Sequence, residues 1–358
     1  MTSSDELSLE TVDTLDGLRE DWSRLADASG NLFSTWEWAS AWWRHLGRER
    51  PLHLVACRDA AGAVAGILPL YLARERPART LRFVGHGPAD RLAPICAPED
   101  RGRAAEALRL ALANGIAGWQ VAIADRLPGE EGWAEALGEM PLRTEPSPVL
   151  VAEGRDWDAF LASRSKNFRE LARRRERRLA RDHEIRYRLT TDPAELDRDY
   201  DTLVRLHRAR WGDGSSSFVP PRDELHRDFA RAALERGWLR LWTLDVDGQP
   251  AAAWLGYRFG GAEWYYQAGR DPALEREAVG FVLMTHTVRE ALNDGVSEYR
   301  LLLGGEAYKD RYATADEGLE TFVFSRGLRG RAVRGAARAT LAAPPTIRRR
   351  LRGLGMDA

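Results

Sequence analysis

The densest group of chemically capable side chains follows a double glycine, in the run Gly304-Gly-Glu-Ala-Tyr-Lys-Asp-Arg-Tyr. Glu306, Tyr308, Lys309 and Arg311 offer a carboxylate, a phenol, an ammonium and a guanidinium, groups that move protons or donate to a developing anion. A glycine-flexible turn at the carboxyl end of a strand lets such groups reach a ligand. Earlier, Gly85-His-Gly-Pro-Ala-Asp-Arg sets His86 and Asp90 on a glycine-punctuated loop. An imidazole or carboxylate there could take a proton from an amine, or the pair could simply fix a turn. Tyr265 and Tyr266 are neighbours on an expected strand, so one faces the core and the other the opposite side, and one is a ligand contact. Arg210, Trp211, Ser217 and Phe218 bracket Gly212-Asp-Gly-Ser-Ser, a mobile lid or a plain connector, and are candidate substrate contacts. Cys57 and Cys96 lie far apart without a Cys-x-x-Cys spacing, so neither a disulfide framework nor a metal site is expected.

These residues need elements to position them. The 358 residues, 44% hydrophobic with 13 tryptophans, suffice for two domains with sizeable cores. Lys+Arg (53) and Asp+Glu (54) nearly cancel, so no overall field draws the chain to nucleic acid or membrane. The polar, acidic start lacks a signal-peptide pattern and no apolar run reaches spanning length, which predicts a cytoplasmic protein. Periodicity predicts a strand at Leu7–Val12, helices over 15–28 and 35–46, a hairpin 52–57/63–74, a strand at 81–85, a helix 101–114 and a strand 119–124. Leu142–Gly154, with Pro146 and Pro148, reads as a linker. Beyond it come a long helix over 156–182, helices over 193–211 and 221–235, strands at 238–245, 251–259 and 262–268, a helix 279–293 and a strand 298–303. The second half thus repeats the order of the first, and the predicted division is 1–150, 151–325 and a basic tail 326–358.

The order helix, helix, three strands, helix, strand over 193–303 is that of the GNAT acetyltransferase fold. The segments Trp36-Glu-Trp-Ala-Ser-Ala-Trp-Trp, Gly66-Ile-Leu-Pro-Leu-Tyr, Leu206-His-Arg-Ala-Arg-Trp, Trp264-Tyr-Tyr-Gln-Ala-Gly and Gly304 to Tyr312 resemble, in that order, CelD/BcsL-type acetyltransferases, a branch similar to the FemAB peptidyltransferases. The resemblance spans roughly Leu7 to Phe324. It implies an α/β (α+β) fold of tandem GNAT-like halves, each a mixed, mainly antiparallel sheet flanked by helices, and an acyltransferase. The acyl group would pass from acetyl-CoA or another acyl-CoA to an amine or hydroxyl of a small molecule, sugar or envelope precursor. Alternatives are a FemAB-like transfer from aminoacyl-tRNA and a non-catalytic binding adaptor. By resemblance, Lys309 stabilises charge in the transition state, Tyr308 donates a proton to the leaving group, and Asp90 sits near the acceptor. The GNAT pyrophosphate loop corresponds to Leu274-Glu-Arg-Glu-Ala-Val-Gly-Phe, so Arg276 and the backbone of Val279, Gly280 and Phe281 are the expected donor contacts. Glu275 and Glu277 depart from the pattern.

Two basic stretches stand apart. The helix carrying Lys166, Arg169, Arg173, Arg174, Arg175, Arg177, Arg178 and Arg181 either holds phosphates or forms a solvated face with Glu170 and Glu176. The tail from Arg326 to Arg352 has too few large apolar residues to fold alone and is expected to be a basic appendage, open to weak contact with anionic lipid or nucleic acid.

Overall fold

The computed structural model describes residues 7–73, 77–212 and 215–342. These divide into two compact units: one takes the residues up to Trp43, Gly47–Glu145 and those from Gly318 onward, the other Arg44–Leu46 and Pro146–Glu317.

The first unit opens with β1 (Ser8–Val12) and two short tryptophan-bearing helices, α1 (Arg19–Ser29) and α2 (Trp36–Trp42). Thr35 caps α2 by accepting from Trp38 N, and Trp22, Trp38 and Trp42 are buried. The hairpin β2 (Leu52–Arg58) and β3 (Val64–Ala73) follows, its turn closed by Asp59, whose carboxylate accepts from Ala61 and Ala63 N. Next come β4 (Thr80–Phe83), β5 (Ile95–Cys96), α3 (Arg101–Leu110), β6 (Val121–Pro128), α4 (Trp133–Leu137) and β7 (Arg143–Glu145).

The second unit starts at β8 (Pro148–Val151) and continues through α5 (Trp157–Ser163), α6 (Lys166–Asp182), β9 (Ile185–Leu189), α7 (Pro193–Trp211) and α8 (Arg222–Glu235). Three long antiparallel strands then run as a meander, β10 (Leu239–Val246), β11 (Gln249–Phe259) and β12 (Ala262–Arg270). The helix α9 (Val279–Asn293) crosses to β13 (Glu298–Arg300), parallel to β12, and β14 (Ala315–Asp316) ends the sheet, whose order is β14-β8-β13-β12-β11-β10-β9. Trp254 and Tyr257, an odd number of residues apart on β11, face opposite layers. Trp254 joins a core with α5, α6 and α9 residues such as Phe160, Leu179 and Leu283, while Tyr257 packs on Phe229 of α8. The chain then returns to the first sheet as β15 (Leu319–Ser325), antiparallel to both β6 and β7, and finishes the described part with α10 (Gly327–Ala342).

Both sheets are mixed and mainly antiparallel, flanked by helices, as the sequence predicts. Four expectations change. The stretch read as a linker is two strands, β7 and β8, one in each sheet, and the units part between Glu145 and Pro146. Residues 319–325, expected in the second half, complete the first sheet, where Phe322 and Val323 are buried. The single helix over 156–182 is two, because Ser165 leaves the helical region and its hydroxyl caps α6 by accepting from Phe168 N. The part of the basic tail that is described packs on the first unit. Gly330 lies so close to Gln120 that a Cβ there would come within 2.1 Å of the Gln120 carbonyl oxygen. Arg334 pairs with Glu139 at 3.1 Å, and Val333 packs against Ala78, Val121 and Val323. The arginines beyond Ala342 lie outside the described residues. No helix among the described residues is long and apolar enough to cross a membrane.

Candidate active site

The β12–β13 ladder lasts only from Ala262↔Glu298 to Trp264↔Arg300. Past it β12 runs on to Arg270, while the other chain leaves through Leu302, a non-glycine residue at φ 59. A register shift opposite Leu255/Gly256 inserts one extra residue into β12 at Tyr266. Where the strands part, a cavity of about 260 Å³ opens between the sheet and α9. Small residues make the room: Ala252, Ala253 and Ala268 on the strands, Ala278 and Gly280 at the start of α9. A Cβ on Gly280 would stand 3.1 Å from Arg270 Cδ. Ala278, at φ 57, puts a side-chain-bearing residue in the left-handed region at the cavity wall.

Tyr265, Tyr308 and Tyr312 line this cavity, and the first two phenols meet. Tyr308 Oη donates to Tyr265 Oη at 3.4 Å, and Tyr265 stacks on Trp254 with centroids 5.7 Å apart. Burial pushes both phenol pKa values up, so both hold their protons at neutral pH. Among the described residues the buried Trp254 Nε1 has no acceptor. Three guanidinium groups line the same space, Arg210, Arg270 and Arg311. Arg270 meets the exposed Glu275 at 3.0 Å, and among the described residues Arg210 and Arg311 have no carboxylate partner. The lining therefore carries excess positive charge and suits an anionic ligand.

Lys309 sits differently from its neighbour. It is 3% exposed, and its Nζ donates to the carbonyls of Leu303 (2.6 Å), Gly304 (3.2 Å) and Leu302 (3.4 Å) while meeting Glu306 Oε2 at 2.9 Å. The ammonium thus closes the post-strand turn on itself. Glu306 folds over Gly304, whose φ of 109 and lack of Cβ admit the carboxylate at that point. Tyr266 turns to the face opposite Tyr265, its Oη 2.8 Å from His226 Nε2.

The segment 215–218 is fastened from beneath by two buried histidines. His207 Nε2 lies 2.8 Å from Ser215 Oγ, and the His226 ring meets Phe218 with centroids 5.9 Å apart. Phe218, 1% exposed, sits edge-on between the two imidazoles and is core, not surface. Burial lowers the pKa of both rings, that of His226 to about 3. Ser217 Oγ accepts from Gln267 at 3.5 Å, and Trp211 is exposed beneath the Arg210 guanidinium. At the donor loop, Gly280 and Phe281 line the cavity, Val279 is buried in the core, and Arg276 is exposed with its carbonyl bound by Arg175.

In the first unit, His86 Nδ1 lies 3.0 Å from Asp125, which also holds Arg82 at 2.7 Å. Burial would raise the Asp125 pKa, but the His86 hydrogen bond and the Arg82 charge hold it low. Asp90 pairs with Arg126 at 3.3 Å, and the same guanidinium binds the Ala89 carbonyl. Both expected base candidates are therefore engaged in fixing their loop. The sequence did not single out Trp254, Arg270 or the Ser215–His207 pair. The glycine-serine run was the signal for the last, but its histidine partner lies on a different element.

Residues 166–310 match the family described as the acetyltransferase (GNAT) domain. Within the second unit this stretch is similar to a GNAT acetyltransferase domain. Its β12–β13 divergence and α9 are the site's frame within that matched stretch. No curated protein matches the chain. Among solved structures, FemX is similar over 92% of this chain and 100% of its own, with 11% identity and a TM-score of 0.63. L-PGS from Bacillus licheniformis matches over 89% and 94%, with 13% identity and a TM-score of 0.55. The C-terminal domain of a putative lysylphosphatidylglycerol synthetase from Agrobacterium fabrum matches over 90% and 96%, with 13% identity and a TM-score of 0.53. At these identities the likeness is one of fold.

Proposed function

We propose that the GNAT domain moves an acyl group from an acyl-CoA-type thioester to a hydroxyl or amine of a small molecule or saccharide, such as an envelope precursor handled by CelD/BcsL-type enzymes. The observation that carries this reading is the protonated Tyr308–Tyr265 pair in a cavity lined by three guanidinium groups, opened where β12 leaves β13. The residues fit such a donor. Arg210, Arg270 and Arg311 suit its phosphates, and Phe281, Met284 and the alanine wall suit its apolar arm. An acyl thioester supplies an activated acyl carbon and a thiolate leaving group. Tyr308 holds a proton at Oη, aligned by Tyr265, and Lys309 with Glu306 holds the turn that presents Tyr308.

Calorimetric titration with acetyl-CoA, followed by turnover of Tyr308→Phe, tests this. Removing a positioned proton donor should lower turnover roughly 100-fold with donor affinity nearly unchanged. Wild-type turnover in Tyr308→Phe would overturn the assignment. One observation favours a second donor class: Arg173, Arg174 and Arg177 form an exposed row on α6, and none of the three is paired with a carboxylate among the described residues. Such a row suits the backbone of an aminoacyl-tRNA, and the same titration with aminoacyl-tRNA decides between the donors. Binding of a saccharide without turnover on either donor would favour the adaptor.

A further inference from the structure

We propose that Ser215 is a nucleophile, activated by His207, that carries the acyl group as a serine ester during transfer. The inference deepens the acyltransfer reading above and rests on it. A nucleophile, a base and an orienting group stand in line. Ser215 Oγ is 2.8 Å from His207 Nε2, and His207 Nδ1 is 3.0 Å from the carbonyl of Ala268. A carbonyl only accepts, so Nδ1 bears the proton, Nε2 presents its lone pair, and the serine hydroxyl donates to it. That is the arrangement by which a histidine makes a hydroxyl nucleophilic.

The ring is held in this pose. Phe218 meets it edge-on at 4.9 Å, and α7 lies so near β12 that a Cβ on Gly269 would come within 2.3 Å of His207 N. Burial, with the charges of Arg210 and Arg208, keeps the imidazole neutral at pH 7, so the lone pair is free to accept. His207 is 3% exposed, whereas Ser215 is half-buried and open to a substrate. The carbonyl that orients the base belongs to Ala268, which lines the acyl-donor cavity, as does Arg210, one turn along α7. Ser215 Oγ ties the loop to His207 and accepts from Ser217 N at 3.4 Å, and the loop has fastenings besides these. Arg208 bonds the Phe218 carbonyl at 2.8 Å, and Arg222 bonds Ser216 Oγ at 2.9 Å.

In the step, Ser215 Oγ bonds to the acyl carbon of a thioester or aryl ester, and the bond from that carbon to sulfur or aryl oxygen breaks. The hydroxyl proton passes to His207 Nε2 and on to the leaving thiolate or phenolate. An acceptor hydroxyl, an amine or water then gives its proton to Nε2 and takes the acyl carbon, and Ser215 Oγ recovers a proton as it leaves. Because a backbone carbonyl orients the ring without neutralising it, the imidazolium exists only in passing, and slow turnover of the ester makes the intermediate trappable.

The full chain treated with 4-nitrophenyl acetate, then analysed by intact mass and by the tryptic peptide 211–222, tests the proposal. The wild type should gain one acetyl group, on Ser215. Ser215→Ala should lose that label, His207→Asn should slow labelling by at least about tenfold, and Ser216→Ala should label as the wild type does. An unlabelled wild-type peptide, or equal labelling of the peptide in Ser215→Ala, would overturn it. Calorimetric titration with acetyl-CoA runs beside it: an unlabelled wild type that still binds and turns over acetyl-CoA removes the covalent step alone. If His207→Asn does not fold, Ser215→Ala still decides the outcome, because its side chain is half-buried and the loop has other fastenings.

Discussion

Replacing Lys309 with methionine keeps most of the apolar stem of the side chain and removes the ammonium, with its charge and three donor protons. In the folded protein those protons serve the carbonyls of Leu303, Gly304 and Leu302 and the Glu306 carboxylate, all within 3.4 Å of Nζ. A hydrogen bond to a charged group contributes about 1.5–3 kcal/mol, and a buried acceptor left unpaired costs a similar amount. Leu303 and Gly304 are partly exposed, so water can take over part of the duty, and Glu306 is 55% exposed and readily solvated. The net loss should be about 3 kcal/mol, the worth of one or two such bonds, or roughly 6–12 °C in melting temperature for a domain of this size. Urea denaturation and calorimetry measure it. Turnover, assayed well below the melting range, should fall by roughly tenfold as Tyr308 loses its fixed turn, a displacement effect. Lys309→Arg should also destabilise, because three carbonyls converging on one nitrogen suit a compact ammonium and not a planar fork. If Lys309→Met kept full stability while turnover fell about 100-fold, the ammonium would act on reacting charge directly, and its structural assignment would be wrong.

Three further outcomes are expected. Gly269→Ala should cost about 2–3 kcal/mol, because the added Cβ meets the His207 backbone at 2.3 Å and must push α7 off β12; an unchanged urea midpoint would contradict the packing. Burial holds the His226 pKa down to about 3 and that of His286 to about 4, so the folded state binds fewer protons than the unfolded state. The stability this gives is complete above pH 6.5 and is lost as pH falls towards 4, about 2 kcal/mol per histidine at pH 5; equal urea stability at pH 7 and pH 5 would refute it. Truncation after Ser325 should destabilise the first unit by about 2 kcal/mol, since it removes the Val333 contact and the Arg334–Glu139 pair, and an unchanged melting curve would show that α10 contributes nothing.

The sequence by itself was enough for the character of the elements around the site. Alternation in 251–259 and 262–268, with Asp247-Gly248 and Gly260-Gly261 between the strands, placed the meander, and α9 runs from Val279 to Asn293 as its 3.6-residue pattern and Gly295 predicted. The order of elements was enough to read two mixed, mainly antiparallel sheets flanked by helices. Short strands and non-local pairings were not legible. β7 and β8 are three and four residues long and hold Pro148, so they carried turn chemistry, not a strand period. The return of β15 to the first sheet is a pairing across nearly two hundred residues of chain, from Phe322 to Ala124, which no local pattern encodes. The same limit applied to the chemistry. Tyr308 and Lys309 are adjacent and looked equivalent as polar residues on a turn, yet one lines the cavity and the other is buried against its own carbonyls. Ser215 and His207 were ordinary loop and helix residues until α7 packed on β12 and brought the Ala268 carbonyl to Nδ1. Periodicity and turn residues record how each segment meets water and core, which is local. Which donor meets which acceptor depends on the close approach of separate segments, and only the folded chain decides that.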